Sequence, residues 1–274
     1  MSALEYFLGI DKERIRKLTE EEAKALQDGA KPILLYSETM HLYRMVELNY
    51  KDLLAGFDKY RQKFGGSDIA QDHLVDISRL LANFLSLFKA YMEIWEAQTK
   101  QIYGRKVWDN ILEKFHKDEE KASSAYRLVR CLRNFAVHFA VLPSGKQIRF
   151  GSDMEETETK YFLSKSSLLS KYSRWGDVKK DLKSFPEQIE IEPLIQEAMK
   201  SLSKVDIKKF YWIFPSLSQA LSIYKSILRE TEYHPFSSII EVKKNGKEEI
   251  KLLPVARANY AMRDLARRGL AYPA

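Results

Sequence analysis

Four residues within the stretch YRLVRCLRNFAVHFAVL, Tyr126 to Leu142, have types and spacing suited to work on a phosphate: Arg130, Arg133, Asn134 and His138. On a helix turning about 100° per residue, Asn134 and His138 stack one turn apart, and Arg130 extends the same row backward by another four positions. Arg133 lies about 140° from His138, at the edge of that row, and its long side chain reaches round. A guanidinium, an amide and an imidazole can therefore meet at one phosphate. An imidazole with a pKa near 6.5 passes protons at neutral pH. A forked, permanently charged guanidinium meets growing negative charge in a transition state better than a lysine does.

These residues depend on the helix that carries them. Ala125, Leu128, Val129, Leu132, Phe135, Ala136 and Phe139 fall on one broad apolar face, which predicts a core. The opposite side carries Arg127, Arg130, Asn134 and His138 together with Val137 and Val141, so it is expected to be a second contact surface and not merely a wet one. Spacing alone is weak evidence: with 16 Arg and 5 His in 274 residues, an Arg followed five later by a His is expected roughly 0.3 times by chance, and it occurs twice. The second instance, Arg229 to His234, has Glu230 and Glu232 close by and precedes Pro235, and is set aside. The competing reading of the first is a histidine satisfied inside a bundle with Arg133 paired to a carboxylate. His41, His73 and His116 are assigned solvated or packing roles.

Around this helix the chain reads as mainly α: an antiparallel helical bundle with short β-hairpin insertions and a small C-terminal α+β extension. Residues 1–32 are charged and end in Gly29 and Pro32, so they are expected to be an N-terminal extension with a short helix from Leu18. Residues 33–232 form the helical domain. Its first helix runs from Ile33 to about Phe64 and is closed by Gly65-Gly66. A second begins at Ser67 or Asp68 and repeats apolar residues from Ile77 to Trp95 up to Gly104; some 35 residues long, it would span roughly 50 Å. A shorter helix near Val107–His116 leads into the Arg133 helix, which Pro143-Ser144-Gly145 terminates. A hairpin insertion is expected near 146–165, around the acidic turn Asp153–Glu158. One or two further helices occupy 191–232, with Pro193 at a helix start and Pro215 breaking the run. Residues 233–274 alternate about Asn245-Gly246, a two-residue hairpin signal, and end in a helix with Arg257, Arg263, Arg267 and Arg268.

Composition sets the outer bounds. With 45% hydrophobic and 12% aromatic residues the chain is far from disordered. A net charge of +7 favours anionic partners weakly. One cysteine, Cys131, excludes a disulfide framework, and no Cys/His cluster suggests a metal, so no cofactor is expected. No apolar run reaches membrane length and no leader pattern opens the chain, which places it in the cytoplasm. No nucleophile elbow, glycine-rich phosphate loop or paired metal carboxylates support other chemistries.

The RNFAVH segment, within LVRCLRNFAVHFAVLP, resembles the R-x4-6-H motif of the HEPN domains, often written RN-x3-H, and the resemblance covers roughly Ile33 to Leu142. It implies an all-helical bundle and, as in many of that family, a metal-independent endoribonuclease that uses the ribose 2′-OH as nucleophile. Arg133, Asn134 and His138 match the motif as catalytic residues. It further implies a homodimer joined through the Arg133–His138 helix, with Val137 and Val141 at the seam. RNA is then the substrate, and the role is that of a toxin or anti-phage defence effector with an antitoxin or defence-system partner. Arg127 and Arg130 are expected to bind RNA backbone or an acidic neighbour; Arg263 and Arg267, one turn apart, to hold RNA phosphates or simply to be solvated. A non-catalytic RNA- or nucleotide-binding module, or a helical interaction protein, is the alternative.

Overall fold

The computed structural model describes residues 4–10, 13–61, 67–139, 143, 145–150, 156–230, 232, 234, 237–243 and 247–270. The fold is mainly helical, with antiparallel sheet. In chain order it runs β1 (Glu5–Ile10), β2 (Glu13–Leu18), α1 (Glu20–Arg61), α2 (Ser67–Tyr103), α3 (Arg105–Val107), a π-helical turn (Trp108–Leu112), α4 (Glu113–Ala122) and α5 (Ser124–Phe139). There follow β3 (Gly145–Phe150), β4 (Glu156–Ser164), α6 (Lys165–Lys171), α7 (Val178–Ser184), β5 (Gln188–Glu190), α8 (Ile191–Glu230), β6 (Ser237–Val242), β7 (Glu248–Leu252) and α9 (Val255–Arg267). The chain divides into two compact units, residues 1–40 with 209–274, and residues 41–208.

The unit holding α5 is built on helix pairs. Along α1 and α2 the contacts run in opposite directions: Tyr43 meets Tyr91, Tyr50 meets Phe84, and Tyr60 stacks on His73 at 4.1 Å. The two helices are therefore antiparallel. Gly56 lets them close, since a Cβ there would sit 2.6 Å from Leu80 Cδ1. Phe84, Phe88, Tyr91, Trp95, Leu128 and Leu132 are fully enclosed. Tyr91 donates to Asp206 of α8 at 2.6 Å, and that burial beside a carboxylate pushes the phenol well above its ordinary range. Helix α2 stops where expected because Gly104 takes φ 88°, a conformation open to glycine. Strands β3, β4 and β5 form a second sheet, in that order. The expected hairpin is thus present, but β5 adds a third strand to it. Residues 151–155 lie outside the described residues, as do Gly65-Gly66 and Asn245-Gly246.

The other unit corrects the reading of the N-terminus. Residues 5–10 and 13–18 are not a charged preamble to a short helix: β1 pairs with β6, within a sheet ordered β2-β1-β6-β7. The expected edges at 32 and 232 fall inside α1 and just beyond α8. Helix α1 is capped by Thr19, whose hydroxyl accepts from Glu22 N at 3.0 Å while the Glu22 carboxylate accepts from Thr19 N at 2.8 Å. That reciprocal pair satisfies two otherwise orphaned donors. The helix then continues through Gly29 and Pro32, and α8 continues through Pro215. Gly29 marks a close approach, since a Cβ there would meet the Tyr224 ring at 3.3 Å. A proline inside a helix costs about 3 kcal/mol. Burying one Leu or Ile returns about 1.5–3 kcal/mol, and Ile33, Leu35, Ile213 and Leu217 are all buried beside these prolines. Packing overrides the local breaker. At the C-terminal end β6, β7 and the basic helix α9 occur as expected.

Candidate functional site

Helix α5 begins with Ser123, whose hydroxyl accepts from Tyr126 N at 3.1 Å. Its apolar face packs as the periodicity predicts, with Ala125, Leu128, Val129, Leu132 and Phe135 all buried. Tyr126 is enclosed as well, its hydroxyl 2.8 Å from His116 Nδ1. His116 and His73 are buried and His41 is exposed.

The polar side of α5 is shared out unevenly. Arg127 makes a two-pronged pair with Asp181 of α7, at 2.5 and 2.9 Å. Arg130 pairs with Glu120 of α4. Of the two partners expected for these arginines, RNA backbone or acidic neighbour, the structure shows the second. Asn134 is exposed. Arg133 is partly buried, its Nε is enclosed without a hydrogen-bond partner, and it forms no ion pair with a described residue. The carboxylate partner that the competing reading required of Arg133 is absent among the described residues. His138 sits on α5 one turn beyond Asn134. The side chains of Val137 and His138, and Val141 altogether, lie outside the described residues.

Arg127, Arg130, Cys131 and Asn134 line one wall of a cavity of about 300 Å³, faced by Lys89 of α2 and Glu120 of α4 and closed by Trp175, Asp177 and Val178. A smaller cavity of about 110 Å³, which reaches His116 and Trp108, shares Lys89, Glu120 and Arg130 with it. Phe135 supports the closing segment, stacked on Trp175 with ring centroids 5.8 Å apart and edge-on to Tyr172 at 6.1 Å. Cys131 lies among cations, Arg130 and Lys89, that favour its thiolate, but desolvation is the larger effect and pushes the thiol up. It is a neutral thiol at pH 7. In the other unit Arg263 and Arg267 are exposed and form no ion pair with a described residue, whereas Arg268 pairs with Asp264 at 2.8 Å.

The sequence reading missed the partners Lys89, Trp175, Asp177 and Asp181. Only Trp175-Gly176-Asp177, a turn with Gly176 at φ 57°, offered a local signal, and it lies about 40 residues downstream of Arg133. Chemically the row offers a permanent cation with no ion pair to a described residue, an amide lining the cavity and, one turn on, an imidazole. No protein-family model matches this chain, and no curated protein or solved structure is significantly similar to it. Among the described residues no helix is long and apolar enough to cross a membrane.

Proposed function

We propose that this protein is a metal-independent endoribonuclease of the HEPN type, acting as a homodimer with its α5 helices at the seam. The observation that carries the proposal is Arg133. Both neighbouring arginines of α5 are neutralised by carboxylates, while Arg133 holds a buried, unpartnered Nε on the helix that bears the RNFAVH motif. Buried polar groups normally find partners, so an exception calls for a reason. A guanidinium kept for an external phosphate supplies one.

In the proposed reaction a base takes the proton from a ribose 2′-OH, and the oxygen attacks the adjacent phosphorus. The P–O5′ bond breaks, and the leaving 5′ oxygen receives a proton. The 5′ fragment ends in a 2′,3′-cyclic phosphate and the 3′ fragment in a free 5′-OH. His138 serves as the acid or base, Arg133 holds the charge that grows on the phosphoryl oxygens, and Asn134 positions substrate or imidazole. Arg263 and Arg267, exposed and without an ion pair to a described residue, are available to further phosphates. A cytoplasmic role as a toxin or anti-phage effector, restrained by an antitoxin or a defence-system partner, fits an enzyme of this kind.

The alternative reading is a helical module that binds RNA without cutting it. The two are separated by placing a single 2′-deoxyribose at a mapped cut site. The enzyme reading expects that linkage to resist cleavage while binding is unchanged; efficient cutting at the deoxy linkage removes the 2′-OH mechanism.

A further inference from the structure

We infer that the segment Lys165–Ser184, comprising α6, the Trp175 turn and α7, is a docking track for the sugar-phosphate backbone of a single nucleic-acid strand. The inference takes only the identity of that strand, RNA, from the function proposed above.

Elsewhere in the chain many cations are spent on carboxylates: Arg16 on Glu22 and Glu230, Lys31 on Asp28, Arg79 on Asp76, Lys100 on Glu96, Lys117 on Glu113. On this segment Lys171, Arg174, Lys179, Lys180 and Lys183 are all exposed, and none has an ion pair with a described residue. Two carboxylates lie among them. One of these, Asp181, is turned inward to Arg127 at 2.5 Å and does not neutralise the outer side of α7. Position explains the separation. On α7 the buried Val178 and Leu182 face the protein with Asp181 beside them, so Lys179, Lys180 and Lys183 share the opposite arc.

The segment is also fixed against the candidate site. Trp175 stacks on Phe135 of α5 and donates to Leu168 O at 3.1 Å, and Trp175, Asp177 and Val178 wall the cavity lined by Asn134. A strand lying on α7 is thereby held beside the polar row of α5. The ligand is a strand and not a lipid surface, because, of the segment's apolar groups, Leu168, Trp175, Val178 and Leu182 are buried and Leu169 and Tyr172 are half-buried, so no fully exposed apolar group is there to enter a bilayer. Since phosphate contacts carry no information about sugar, the track should hold DNA and RNA alike.

The test uses the full-length protein carrying His138→Ala, so that RNA survives, and a labelled oligouridylate of about 12 nucleotides. Anisotropy titrations across a salt series compare this protein with one that also carries Lys179→Gln, Lys180→Gln and Lys183→Gln. A control replaces the ion-paired Lys31, Lys100 and Lys117 by Gln and has the same net charge. Each phosphate contact on a single strand contributes about 0.7 to the slope of log affinity against log salt, so the α7 triple variant should be shallower by roughly 2 and bind more weakly, and the control should not. The corresponding deoxyuridylate should show the same change. Equal slopes for the two triple variants, with all three proteins folded by circular dichroism, would overturn the track. A shallower slope for the α7 triple variant, together with a wild-type protein that cuts no RNA, would leave the track standing and defeat the ribonuclease reading instead.

Discussion

Arg133 and His138 carry the chemical reading, and each makes a separate demand. General acid-base catalysis contributes typically ~10²- to 10⁴-fold, so His138→Ala should lose cleavage by that factor while the melting temperature holds, because alanine suits a helix better than histidine. Arg133→Ala should lose cleavage similarly. It should also not destabilise the fold, because its Nε has no hydrogen-bond partner and no described residue forms an ion pair with it. A cleavage-competent Arg133→Ala protein that unfolds early would return this arginine to a structural role. Cys131 gives a pH signature. Burial raises its folded pKa above that of the unfolded thiol, so the folded state keeps its proton over a range where the unfolded chain has lost it, and stability falls as pH rises into the alkaline range. Alkylation should be slow at pH 7 and accelerate only well above it, and Cys131→Ala should flatten the alkaline loss of stability in urea titrations.

At the scale of elements the joint between α5 and α7 decides whether the site keeps its wall. Arg127 and Asp181 are each less than a quarter exposed, and removing one partner strands the other charge. Asp181→Asn should therefore cost about 1–3 kcal/mol in urea unfolding, and Arg127→Met with Asp181→Leu should recover part of it. Equal losses for the single and double changes would show that no stranded charge is relieved and would contradict this account of the joint. That joint was illegible in the sequence, since nothing local links Arg127 to an aspartate 54 positions away. Legibility followed periodicity and capping. Helices α2 and α5 were readable because Ile77 to Trp95 and Ala125 to Phe135 repeat at helical spacing over several turns. Helices α1 and α8 were misread at Gly29, Pro32 and Pro215, where burial of their neighbours outweighs the local preference. Strand β1 was missed because its partner β6 lies more than 200 residues away, and β2 because ERIRKL, with three basic residues in six, offers an edge pattern and no core. Of the site, the residues on α5 were visible; the cavity and the cationic α7, assembled by tertiary contact, were not.

For the whole molecule the proposal requires two copies. A glutamate placed at Val137 would be buried at the seam, so Val137→Glu should give monomers by sedimentation that no longer cut RNA, although Arg133 and His138 are untouched. A fully active Val137→Glu monomer would end the composite site. The central claim, metal-independent cleavage by the α5 row, is met most directly by one measurement. Purified wild-type protein and His138→Ala are incubated with total cellular RNA in excess EDTA, and the ends of the fragments are analysed. The account predicts discrete cuts by the wild type alone, leaving 2′,3′-cyclic phosphate or its hydrolysis product on the 5′ fragment. Cleavage that depends on Mg²⁺, or that His138→Ala performs as well as the wild type, would contradict it.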